Sequence, residues 1–118
     1  MLSGRKAQFN MWGIMINKRP SSKENKVIVT FEIPDSVWAD RMHLVGDFNG
    51  WDRESLPFRH NGRDVWQVEI ELEQGGEYHF RYLIDGDHWR SDYQADRHAA
   101  GEDGVNDSVV TAQLPRAG

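Results

Sequence analysis

Cysteine is absent from the 118-residue sequence, which excludes disulfides, thiolate metal sites and cysteine nucleophiles. Long apolar runs are missing too. Nothing approaches the ~20 residues that span a bilayer. The most apolar stretch, Phe9 to Ile16 (FNMWGIMI), is interrupted by Asn10 and Gly13 and makes a poor signal peptide. Positive charge is in deficit, with 14 Lys and Arg against 19 Asp and Glu, a net −5 with no basic run. Neutralising phosphates and docking on anionic lipid both need a basic surface, so neither nucleic acid nor a membrane is an expected partner. Helical periodicity is lacking as well, and the one helix candidate is a single turn near Asp35 to Asp40. These absences lead us to expect a cytoplasmic protein of one domain.

What the sequence does have is a period of two. Val27, Val29, Phe31 and Ile33 fall on one face with Lys26, Thr30 and Glu32 on the other, and Met42, Leu44, Gly46 and Phe48 repeat the period. The same pattern returns in Trp66, Val68, Ile70 and Leu72, in Tyr78, Phe80, Tyr82 and Ile84, and in a last run from Ser108 to Thr111. Each run predicts a strand with one buried face. Between them stand Asn49-Gly50, Asn61-Gly62, Gly75-Gly76 and Asp85-Gly86, pairs that tolerate the positive φ of tight turns. Short strands spaced by such turns predict an all-β fold, an immunoglobulin-like antiparallel sandwich. Residues 1–25 read as a flexible leader, 26–114 as the sandwich and 115–118 as a tail. Within the leader Met15 is a candidate start, and Phe9 to Ile16 is a candidate for pairing with an edge strand or for self-association.

Five tryptophans are many for this length. Trp66 keeps the register of Val68 and Ile70 and is expected in the core; Trp38 is expected to cap the sandwich, and Trp12 has no assignment. Trp51 follows Phe48-Asn49-Gly50 and precedes Asp52, while Trp89 follows the Asp85-Gly86-Asp87-His88 turn. Both sit among polar loop residues, where two readings stand side by side: a lid over the end of the sandwich, or an exposed ligand platform. Arg81 falls in the outward set of its strand, and Asn106 and Asp107 lie at a turn before the last strand.

Catalytic and metal chemistry find little support. There is no Gly-x-Ser-x-Gly elbow and no phosphate-cradling glycine loop. His43, His60, His79, His88 and His98 lack the spacing of metal ligands, so no metal and no cofactor is expected. Asp85-Gly86-Asp87 resembles the start of a calcium loop, but Arg90 stands where that loop needs glycine.

The ordered motifs resemble a known family. Val45 to Asp52 (VGDFNGWD) is similar to the GxFNxW segment of the glycogen-binding domain of AMP-activated kinase beta subunits, and of the N-terminal domains of isoamylases, branching enzymes and debranching enzymes (carbohydrate-binding module family 48). Gly76 to Gly86 (GEYHFRYLIDG), Trp89 to Asp92 (WRSD) and Asn106 to Val110 (NDSVV) continue the likeness, which covers about Lys26 to Ala112. The resemblance implies an early-set sandwich that binds α-glucan such as glycogen, starch or maltodextrin without catalysis. Trp51 and Trp89 would stack on glucose rings, and Arg81 with Asn106 or Asp107 would bond to hydroxyls. For this to work, both indoles must lie bare and roughly coplanar on one flank. It also implies a glucan-metabolising enzyme as a possible partner. Family-13 chemistry resides on a separate barrel of ~250 residues, too large for this chain. Some family members bind no sugar, so a protein-interaction or scaffold domain is the alternative. Departures from the pattern are Arg81 for the usual Lys, Tyr93 for Pro, and a segment from Ala99 to Val105 that lacks the Leu and Thr of the kinase subunit and has Glu102 and Asp103 instead.

Overall fold

Residues 15–34, 39–60, 65–92, 95–100 and 106–114 are described by the structure, a computed structural model; of Asn106 only the backbone is included. In chain order the strands are β1 (Met15–Pro20), β2 (Lys26–Pro34), β3 (Met42–Gly46), β4 (Arg59–His60), β5 (Val65–Glu73), β6 (Glu77–Ile84), β7 (His88–Arg90), β8 (Arg97–Ala100) and β9 (Asn106–Thr111). They form two antiparallel sheets, β1-β2-β5-β4 and β3-β6-β9-β8, with β7 added to β6. This is an immunoglobulin-like β-sandwich.

The alternation expected from the sequence builds the core. Val27, Val29, Phe31 and Ile33 of β2 are at most 2% exposed. Their register with β5 (Val29↔Ile70, Phe31↔Val68) puts Trp66, Val68, Ile70 and Leu72 on the same inward side. Across the sandwich Met42, Leu44, Phe80, Tyr82 and Val110 face them, and the Phe31 ring meets that of Phe80 edge-on at 5.3 Å. Trp66 thus joins the core margin as expected. Trp12, Trp38, residues 35–38 of the helix candidate at Asp35 to Asp40, the Asn61-Gly62 pair, Tyr93, Glu102, Asp103 and the segment 115–118 lie outside the described residues.

The expected boundary at Lys26 is crossed by a strand. β1 lies within the sequence read as leader, yet it pairs with β2 along its length, from Met15↔Glu32 to Pro20↔Val27. Its inward set is Ile16, Lys18 and Pro20, and a lysine in that set hides the period of two. Lys18 is inward for a reason. Its ammonium lies 2.7 Å from Asp96, which also accepts the Thr111 N–H at 2.7 Å, so one carboxylate joins the two sheets at their open side.

Partial burial pushes the Asp96 carboxyl up, but the donors Lys18 and Thr111 outweigh this and hold it below the usual carboxylate value. A lowered folded pKa contributes stability above the unfolded carboxylate value, roughly 3.9, and loses it as pH falls through the lower folded value. Asp96→Asn should therefore lower the urea midpoint at pH 7, and the gap to the parent should close toward pH 3. A gap that stays constant with pH would show that the charge is immaterial.

A second polar tie closes one end of the sandwich. The buried Tyr82 hydroxyl donates to Asp92 Oδ2 at 2.7 Å, and the Asp92 N–H donates to Ser108 Oγ at 2.7 Å. Burial pushes the Tyr82 phenol well above its ordinary value, and the Asp92 charge adds to this. Tyr82→Phe removes one donor from a carboxylate that is 0% exposed. The expected cost is about 1–3 kcal/mol in urea unfolding; a loss indistinguishable from zero would mean that water replaces the phenol.

The outer faces of the two sheets differ. On the first, Arg19 pairs with Glu69 at 2.9 Å, Lys26 pairs with Glu73, and Gln67 donates to Glu32, a ladder of exposed charge. On the second, the outward residues Val45, Leu83 and Val109 are 0–2% exposed, although they stand outside the core cluster. Something covers that face.

Candidate functional site

The cover begins with the turn after β3. Gly46 ends that strand against β6 so closely that a Cβ would run into the His79 carbonyl oxygen and come within 2.8 Å of Phe80 Cβ, so only glycine fits. A 3-10 turn, Asp47–Asn49, follows, and Gly50 leaves it at φ 66°. Asn49 organises the loop: its Oδ1 accepts the Gly46 N–H at 3.0 Å, and its Nδ2 donates to Asp52 O at 3.0 Å and Ser55 Oγ at 2.9 Å. Phe48 turns back into the sandwich, with its ring 6.4 Å from Phe31.

This scaffold holds Trp51 in a backbone conformation that large residues avoid, with φ at 61°. Left-handed backbone costs a side-chain-bearing residue roughly 1–2 kcal/mol, so the surrounding contacts must over-determine it. They do. The Trp51 N–H donates to Gly46 O at 2.9 Å, and its indole Nε1 donates to Asp47 Oδ1, also at 2.9 Å. Asp47 Oδ2 in turn accepts the His79 N–H at 2.8 Å, which docks the loop onto β6. With its N–H engaged, Trp51 offers a ring surface rather than a donor. Asp47→Ala should loosen the indole while the sandwich stays folded, seen as a red shift and greater acrylamide quenching of tryptophan emission. Unchanged quenching would show that Asp47 does not hold the ring.

Arg81 lies beneath. It is outward on β6, opposite Val45 of β3, with its guanidinium carbon 5.9 Å from the Trp51 ring centroid. Its Nε donates to Asp107 Oδ1 at 2.7 Å, and Asp107 Oδ2 sits 3.0 Å from His79 Nδ1. Arg81 is 8% exposed and Asp107 5%, so this ion pair is part of the covered face. Both Asp107 oxygens are thereby engaged with protein groups.

Trp89 reaches the same flank by a different route. The Asp85-Gly86 turn, with φ of 54° and 83°, folds β7 back on β6 and sets Trp89 opposite Leu83. Residues opposite one another across antiparallel strands point to the same side. Leu83 and Arg81 are two apart on β6, so Trp89 and Trp51 share one flank. Trp89 is 38% exposed, the one exposed large hydrophobic side chain among the described residues. Neither indole is wholly bare: Arg81 sits by Trp51, and the Arg53 guanidinium carbon lies 5.3 Å over the Trp89 ring.

Of the residues singled out in the sequence, Trp51, Trp89, Arg81 and Asp107 are brought together on this flank. Asn106 begins β9 opposite Ala100, and its side chain lies outside the described residues. Sequence reasoning missed Asp47, Asn49, His79 and Arg53. The first two stand inside the very motif that drew attention to Trp51, and that was the available signal. The Glu71, Glu77, Asp85 and Asp96 carboxyls are all held below their ordinary value, the reverse of what a proton donor at neutral pH needs. No group of three His, Asp or Glu among the described residues is placed to hold a metal, and none of their helices is long and apolar enough to cross a membrane.

A model of the family "Carbohydrate-binding module 48 (Isoamylase N-terminal domain)" matches residues 29–97. Among curated proteins, the chain is 31% identical over 82 residues to "Phosphoglucan phosphatase LSF1, chloroplastic" of Arabidopsis thaliana; the match covers 66% of this chain and 14% of that protein. It is 36% identical over 58 residues to "1,4-alpha-glucan branching enzyme GlgB" of Aquifex aeolicus (strain VF5), covering 45% of this chain and 9% of that enzyme. The chain therefore matches only a small part of the length of these relatives.

Proposed function

Because this chain belongs to the carbohydrate-binding module 48 (isoamylase N-terminal domain) family, we propose that it binds α-1,4-glucan without catalysis, through Trp51 and Trp89 on the outer face of the second sheet. The observation that supports this reading best is the placement of two indoles on one flank, Trp51 on a loop beside the Arg81–Asp107 pair and Trp89 on the short strand β7. A pyranose has a face of C–H groups that matches an indole ring, while its hydroxyls need donors and acceptors at the edge of the platform. Arg81 and Asn106 are the hydrogen-bonding partners in this proposal. Asp107 acts through Arg81, because its oxygens already accept from Arg81 and His79.

Two stacked rings and a few hydrogen bonds correspond to millimolar to micromolar affinity, about −4 to −8 kcal/mol. An affinity of that size serves to hold a catalytic partner near a large glucan particle. We place the chain beside a glucan-metabolising enzyme in the cytoplasm. Native electrophoresis in gels with and without glycogen tests the reading: the protein should be retarded by glycogen while a non-binding reference protein is not. Unchanged migration would leave the scaffold role. Sugar released from maltoheptaose by the purified protein would overturn the non-catalytic part.

A further inference from the structure

Arg53 has the least ordinary environment on this flank. Its backbone is framed by anchored neighbours: the Asp52 N–H donates to Asn49 O at 3.2 Å, and Asp52 Oδ1 accepts the Glu54 N–H at 2.8 Å. The side chain is exposed and has Asp52 and Glu54 on either side, yet among the described residues no carboxylate pairs with its guanidinium. It lies instead over Trp89. Trp89 stands opposite the outward Leu83, and its indole is itself 38% exposed. Arg53 thus lies over a ring that is otherwise open to solvent in part.

We propose that Arg53 is an affinity-setting cap: its guanidinium competes with the glucan for the open face of Trp89 and must leave the ring before a glucose unit can stack. This rests on the glucan reading of the site and adds a residue that lowers affinity. A cation over an exposed indole is worth little in water, so displacing it should weaken binding by about two- to fivefold relative to an uncapped ring.

Isothermal titration of the full chain with maltoheptaose, beside Arg53→Ala and Arg53→Gln, tests the cap. Both substitutions lie at an exposed position and leave the anchors of the loop intact. Binding about two- to fivefold tighter in both variants supports the proposal, as does binding by the variants when the parent shows none. Equal or weaker binding in the variants overturns it and makes Arg53 a bystander or a donor to sugar hydroxyls, with the glucan reading unharmed. No binding by any of the three proteins overturns both. A second readout is the Arg53 Hε resonance, which should lose its indole ring-current shift when maltoheptaose saturates the parent; a shift that persists in the complex also overturns the cap.

Discussion

Asp107→Ala is expected to remove about 3–5 kcal/mol of unfolding free energy, the range for breaking a buried ion pair from one side. Arg81 and Asp107 are 8% and 5% exposed, and the Nε–Oδ1 distance is 2.7 Å. Taking away the carboxylate removes a counter-charge held at 2.7 Å from a nearly buried guanidinium, and also takes an oxygen away from His79 Nδ1. The double variant Arg81→Met/Asp107→Ala should recover much of the loss, since replacing both partners with apolar groups is often neutral. Urea unfolding followed by tryptophan fluorescence reads both. If Asp107→Ala costs less than about 1 kcal/mol, the guanidinium has swung into water and the pair does not brace the flank.

Trp89→Ala should lose glucan affinity by on the order of 2 kcal/mol, about 30-fold, as expected for a large aromatic anchor in a small contact. At millimolar parent affinity that abolishes retardation by glycogen. The fold should scarcely notice, because Trp89 lies on a three-residue strand at the sheet margin and is 38% exposed. Trp51→Ala should lose binding to a similar degree and some stability besides. It gives up the Nε1 bond to Asp47 and the ring contact with Arg81, contacts that offset the cost of its left-handed backbone. Equal stability loss in the two variants, or full retardation of either in glycogen, would contradict this division of roles.

The long strands were legible because side-chain alternation is a local property. Val27 to Ile33 and Trp66 to Leu72 display it within one strand, and the glycines at 50, 75 and 86 mark turns by their own φ. β1, β4, β7 and β8 were not legible. β4 and β7 have two and three residues, too few to show a period, and β1 carries Lys18 in its inward set for the sake of Asp96. Partners supplied by neighbouring strands, rather than their own composition, make them strands.

By itself the sequence determined the sandwich class and the family motifs, and it singled out Trp51, Trp89 and Arg81 for attention. Only the tertiary structure decided that these three share a flank, that Asp47 grips Trp51 and β6 at once, and that Arg53 lies over Trp89. The reason is geometric. Alternation and turn preference depend on residues within a few positions, whereas Asp47 meets His79 across 32 positions through the strand register, and Arg53 meets Trp89 across a similar span through the fold of two hairpins. No residue type announces such a partner in advance.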